Sequence, residues 1–351
     1  MKDRWKTTTI DFTFYKIQFL NFFRNKKHRI GFVINGFLLP YSKVMASTRI
    51  RVYDVIKMFF DDRDFLVEIY NPFRKKYEIV IFQKKFDRAA LLLAKRLKTS
   101  DKAKIVFDIN VNYYDLSSKY ITKQQHEDAI AFTEIADMVI VPSIFLNKQI
   151  SKLFPDKTVE VIEESINDIF MRKRKINFNL QNPALIWAGY SHKAFELLLI
   201  QDILVDLYDE FRFKIILISD KNPKLVIGKI PIYFEKFDYS KFPDQLLKGD
   251  IFIAPRNLTD PYNLGHSFTK IGVAMAVGLP VIASPVPSYI GSPAVICEDK
   301  KCWKIYLKKM FTDIVFLKKL SIEGRKFVEA HYSTRVVKQK YRDLFKKLLK
   351  L

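Results

Sequence analysis

Apolar runs of strand length alternate with helical patterns along nearly all of this 351-residue chain, and no other feature limits its fold as tightly. In the first half the runs are 30–34, 66–70, 79–82, 105–108 and 138–141. In the second half they are 184–188, 213–218, 251–254 and 280–283. Continuous Val- and Ile-rich runs separated by helices are what parallel strands covered on both faces require. The predicted class is α/β, with two doubly wound parallel sheets. A helix is expected over 123–136 with Thr122 as its N-cap, and Ser143 caps the next one. The length allows two domains, each with its own core. The stretch 169–183 is polar, with few apolar residues in phase, and reads as a linker between domains at 30–168 and 184–332. Such sheets bind ligands at the carboxyl ends of their strands, which predicts a cleft between the two domains.

The ends of the chain differ in character. Residues 1–29 form a basic aromatic segment in which Tyr15, Phe19, Phe22 and Phe23 share one helical face, followed by Arg24, Lys26, Lys27 and Arg29. A helix of this kind either lies in a membrane interface or packs on the protein with its cations at the helix end. Residues 333–351 repeat Val337, Tyr341, Leu344 and Leu348 at helical spacing, which predicts a docked terminal helix with a basic outer face. The net charge is +22. A field of that sign concentrates nucleic acid, an anionic membrane face or a phosphorylated substrate, and a lysine-rich proteome would also produce it. No apolar run reaches the ~18 residues that span a bilayer, and no secretory cleavage pattern follows the first segment. Cys297 and Cys302 make neither a disulfide framework nor a metal pattern and read as cytosolic thiols.

The segment from His266 to Ser284 is the most informative about chemistry. A helix of about a dozen residues is expected to end at Gly278, with a short buried strand directly after it. The first turn of that helix offers unpaired N–H groups and the positive dipole end, a seat for a phosphate. His266, Ser267, Thr269 and Lys270 add side-chain donors there.

These residues carry a resemblance. Ala274-Met275-Ala276, Gly278, Pro280 and 281–284 resemble the donor segment of the family 4 glycosyltransferases, and 285–289 resemble a variant of it. Further stretches agree in order: 46–51 after Gly36, 82–84, 107–110 with Tyr113 and Asp115, 136–143, and 188–190. The resemblance implies a GT-B fold: two Rossmann-like domains with a C-terminal helix crossing back onto the first. It also implies a nucleotide-sugar-dependent, retaining transferase that needs no metal or other cofactor. Donor contacts would come from Gly36, Gly189, Tyr190, Lys193, Arg256, His266, Ser267, Thr269 and Lys270. Tyr190 stands where the family often has Arg. Arg49, Arg51 and Asn110 would hold an acceptor, and Asp108 or Lys270 would serve catalysis. Family members carry paired glutamates where this chain has Gly265 and Val273.

The expected function is transfer of a sugar to a glycan or lipid-linked acceptor in cell-surface polysaccharide or glycoconjugate synthesis. The expected place is cytoplasmic, peripheral on an anionic membrane surface. A degenerate homologue that binds without catalysis remains open because the glutamates are missing. A nucleic-acid-binding protein would explain the charge but not the donor segment, and nucleic acid is not an expected partner. No Gly-x-x-x-x-Gly-Lys loop, Gly-x-Gly-x-x-Gly turn or Gly-x-Ser-x-Gly elbow is present.

Overall fold

The computed structural model describes residues 2–36, 38–74 and 76–351, with the side chains of the first helix described from Phe12 onward. The chain divides into two compact units. One comprises the chain up to Ser165 together with Asp260–Ser267 and Thr334–Leu351; the other comprises Ile166–Thr259 and Phe268–Ser333.

The first unit holds a parallel sheet of β1 (His28–Val33), β2 (Phe65–Ile69), β3 (Ile79–Gln83), β4 (Lys104–Asp108), β5 (Met138–Val141) and β6 (Val159–Val161), in the order β2-β1-β3-β4-β5-β6. Val80, Phe82, Ile105, Phe107, Val139 and Val141 are buried under the helices Arg88–Ser100, Lys123–Ile135 and Ile144–Leu153. Local chemistry sets where those helices start. Asp87 caps the first, Thr122 and Gln125 form a capping box at the second, and Ser143 caps the third.

The first helix, Lys2–Phe23, docks on this unit through a face different from the aromatic one. Phe14 is fully buried and stacks on Tyr53 at 3.9 Å, Ile17 is buried, and Asn21 Nδ2 donates to Val67 O at 3.1 Å. Tyr15, Phe19, Phe22 and Phe23 are exposed, as is Phe12. Lys26 donates to Phe60 O at 3.1 Å, and the Arg24 guanidinium lies 3.7 Å over the Phe60 ring. The terminal helix, Thr334–Leu349, buries Val337, Tyr341, Leu344 and Leu348 in the same unit. Its cations do not form a free outer face: Lys338 and Arg342 pair with Asp62, Lys340 with Glu163, and Lys347 with Glu160.

The second unit repeats the plan with β7 (Ala184–Ala188), β8 (Lys214–Ser219), β9 (Ile232–Lys236), β10 (Ile251–Ala254), β11 (Val281–Ala283) and β12 (Val295–Ile296), in the order β12-β11-β10-β7-β8-β9. Its core joins Leu185, Trp187, Ile215, Leu217, Ile253 and Ile282 to Leu204, Leu207, Trp303 and Leu307 of the covering helices. The 169–183 stretch is part of this unit, where a linker was expected. Phe170 packs edge-on against Phe242, Lys175 N donates to Val277 O at 2.7 Å, and Asn179 N donates to Asp250 Oδ1 at 3.0 Å. Cys297 and Cys302 are joined as a disulfide, which corrects the reading of them as thiols. The helix expected to run about a dozen residues is Thr269–Ala276, eight long. Gly278, at φ +81°, turns the chain into β11, and Leu279 N closes on Ala274 O at 2.9 Å.

Candidate functional site

In each unit the strand order reverses at one place, and that is where a doubly wound sheet opens to a ligand. In the second unit the reversal lies between β7 and β10. The carboxyl end of β7 leads into Gly189 and Tyr190 and then a 3-10 helix, Ser191–Ile200; the carboxyl end of β10 leads to Arg256.

Lys270 comes to this place from the helix Thr269–Ala276. Its ammonium sits 4.4 Å over the Trp187 ring, is buried, and makes no hydrogen bond with any described residue. Gly189 makes room for it: a Cβ there would lie 2.8 Å from the Trp187 ring and 3.4 Å from Lys270 Nζ. Arg256 Nη1 pairs with Glu196 Oε2 at 2.9 Å, both nearly buried, and its backbone N–H donates to Ser284 Oγ at 2.9 Å. Burial lowers the Lys270 pKa well below its ordinary value, and Arg256 and Lys193 push the same way against Glu196. Burial raises the Tyr289 phenol, which lies close enough to Arg256 for that cation to pull it down. Lys270 thus lies within electrostatic reach of Arg256, Lys193 and Glu196, and Lys270 Nζ, Arg256 Nε and Trp187 Nε1 are buried donors without an acceptor among the described residues. Buried donors of this kind mark a place built for an anion or for water.

Tyr190 is largely exposed and stacks near His192, with ring centroids 6.0 Å apart. Thr269 is half-buried at the start of the Lys270 helix. Val273 is buried at 8% exposure, so the position of the second family glutamate is filled by an apolar side chain inside the helix packing. A shallow depression of about 400 Å³ beside Lys175, Phe178 and Asn182 lies instead at the amino ends of β7 and β8.

Three of the expected donor residues belong to the first unit. Ser267 Oγ donates to Glu164 Oε2 at 2.6 Å, and the His266 ring meets Tyr262 edge-on at 5.1 Å. The chain passes from one unit to the other between Ser267 and Phe268. Gly36 is exposed in the loop after β1, at φ +77°, with open space where a Cβ would stand.

The expected acceptor residues also need correction. Arg51 Nε donates to Asp108 Oδ1 at 2.6 Å and its Nη1 to Ile162 O at 2.9 Å, with side-chain exposures of 1% and 0% for the ion pair. The pair is sealed in the core, so Arg51 does not face an acceptor and Asp108 does not face a reacting hydroxyl. Arg49 is buried too, with Nη1 3.5 Å from Val44 O. Asn110 Nδ2 donates to Glu164 Oε1 at 3.1 Å, and its Oδ1 is buried without a partner. Sequence reasoning missed Trp187 and Glu196 in the second unit and Glu164 in the first, and held Tyr289 only as part of the 285–289 stretch. Only the position of Trp187, two residues before Gly189 on a strand, offered a signal.

No family profile matches the sequence, and no curated protein matches it either. Solved structures do match. HepE of Anabaena, in complex with UDP and glucose, is 12% identical with a TM-score of 0.62, over 91% of this chain and 100% of that one. A glycosyltransferase from Rickettsia africae ESF-5 is 16% identical with a TM-score of 0.59, over 93% and 100%. S. aureus TarM, in complex with UDP, fondaparinux and alpha-GlcNAc-glycerol, is 14% identical with a TM-score of 0.57, over 76% of this chain and 55% of that one. The likeness takes in most of the chain, and its two doubly wound parallel sheets are those of the GT-B glycosyltransferases: this protein has their fold.

Proposed function

We propose that this chain is a glycosyltransferase that holds the diphosphate of a nucleotide-sugar donor on Lys270, Arg256 and Lys193. The observation that carries the reading is the buried, unpartnered Lys270 ammonium at the β7/β10 reversal. UDP in the Anabaena and S. aureus structures supports a nucleotide of that kind. As the sugar leaves, charge grows on the departing diphosphate, and preorganised cations in a buried site stabilise it without reorganisation. They supply the positive charge that a metal ion would otherwise bring, so the reading includes no cofactor. Retention of configuration is part of the proposal and rests on the resemblance of the donor segment. The test is calorimetric titration with UDP, GDP and their sugars. A dissociation constant in the micromolar range for one nucleotide family is the expected result, and no binding by any of them would sink the reading.

The acceptor side of the proposal is a glycan or lipid-linked acceptor at a membrane surface. No described helix is long and apolar enough to cross a bilayer. The exposed Phe12, Phe19, Phe22 and Phe23 are an apolar face on a chain of net charge +22, and we assign that face to the surface of an anionic cytoplasmic leaflet. Each cation near such a leaflet contributes about 1 kcal/mol, and the aromatic rings add apolar burial. Because the terminal-helix cations are largely paired, the first helix should dominate attachment. Vesicle co-sedimentation should show binding to anionic but not neutral lipid, weakened by salt. Replacing Phe19, Phe22 and Phe23 together by Ser should abolish it, and undiminished binding by that variant would exclude this face as the anchor.

A further inference from the structure

The first unit has its own strand reversal, between β1 and β3. Lys84 stands there, directly after β3, beside the loop of Asn35 and Gly36 that follows β1. Its backbone is left-handed, at φ +51°, a conformation that costs a side-chain-bearing residue about 1–2 kcal/mol. Its N–H donates to Asp108 O at 2.9 Å, which holds the strained residue in place. Its ammonium makes no hydrogen bond or ion pair with any described residue.

The neighbouring charges are spoken for. Asp108 is held by Arg51, and Glu164 accepts from Asn110 and Ser267. Thr48 Oγ1 donates to Gln83 Oε1 at 3.1 Å, which seats the helical segment bearing Arg49 on the end of β3, one residue before Lys84. Strain kept at a switch point, under a cation that Glu164 and Asp108 attract but do not hydrogen-bond, is what a binding residue looks like and not what a structural one needs.

We infer that Lys84 is the anion-binding residue of the first unit, taking a phosphate or carboxylate oxygen of a ligand that enters at the β1/β3 reversal. It takes the role that the sequence had suggested for Arg51. That the ligand is a transfer acceptor rests on the reading above; the anion site itself does not.

The test titrates the full chain with glycerol phosphate and, separately, glucuronate, with UDP present to occupy the second unit and again without it. Wild type should bind at least one of the two anions, which also separates phosphate from carboxylate. Lys84→Met keeps the buried stem and should weaken that binding by about tenfold or more, while Lys84→Arg retains it. Because burial disfavours the removed charge more than Glu164 and Asp108 favour it, Lys84→Met should melt no lower than wild type. Lys84→Asn, which accepts left-handed backbone, replaces it if the Met variant does not fold. Equal anion affinity in wild type and variant, or no anion binding by wild type, overturns the inference. UDP binding is its own readout: if it persists while the anions fail, the second-unit reading stands and this one falls.

Discussion

Replacing Arg51 by Ala should lower the unfolding free energy by about 3–5 kcal/mol at pH 8, read as a shift of the urea midpoint. The size follows from what remains behind. Asp108 is fully buried, and among the described residues Arg51 Nε, at 2.6 Å, is the side-chain donor that holds it. Truncation also frees Ile162 O from the 2.9 Å bond that ties the end of β6 to the same guanidinium. The loss should shrink in acid. Burial already pushes the Asp108 carboxyl up to about 6, with Arg51 pulling against it, and without Arg51 the carboxyl rises further. A carboxyl whose folded pKa exceeds its unfolded one contributes fully below the unfolded value, near ~3.9, and loses that contribution as pH rises through the folded value. The variant should therefore be closest to wild type near pH 4–5 and fall away through about 6 and above. Arg51→Met combined with Asp108→Leu should recover most of the stability, because a well-packed apolar pair replaces a buried ion pair at little cost. If Arg51→Ala costs under about 1 kcal/mol at pH 8, the pair is not the buried bond described here.

Lys270→Met should weaken nucleotide-diphosphate binding by about 10–150-fold, the equivalent of a lost charge-assisted contact of ~1.5–3 kcal/mol. The fold should not suffer, because burial and Arg256 both disfavour the ammonium in the free protein. That depressed pKa gives the prediction a second readout. A bound diphosphate favours the charged lysine, so binding takes up protons and the affinity falls as pH rises through the lowered Lys270 value. Calorimetry in buffers of different ionisation heat measures the uptake, which the Met variant should lose. Unchanged affinity in the variant removes Lys270 from the site. Lost affinity with unchanged proton uptake would move the titrating group elsewhere.

The central strands were legible because a strand buried on both faces must be apolar throughout, as Ile79–Gln83 and Ile251–Ala254 nearly are. The strands that escaped sequence reading are edges. Ile232–Lys236 is half-exposed, and Val159–Val161 and Val295–Ile296 are too short to leave a pattern. Lys270 and Arg256 were legible because each follows a recognisable helix start or strand end. Their partners were not, since Glu196 lies 60 residues from Arg256 and only the folded sheet brings them together. Arg51 and Asp108, 57 residues apart, looked like two exposed site residues for the same reason: a sequence shows charges one at a time, and each satisfies the other.

The division of the chain has a bearing on how the protein is made. Most of the first unit leaves the ribosome before the second, yet Tyr341, Leu344 and Phe345 of the helix Thr334–Leu349 belong to its core, with Phe345 against Phe59 and Phe65. Those aromatic surfaces must wait, uncovered, through synthesis of the whole second unit. A nascent chain, or one cut before Thr334, therefore carries an open apolar face on the first unit, the natural target of a chaperone or a protease, and loss of Thr334–Leu351 should be felt around Phe59 and Phe65.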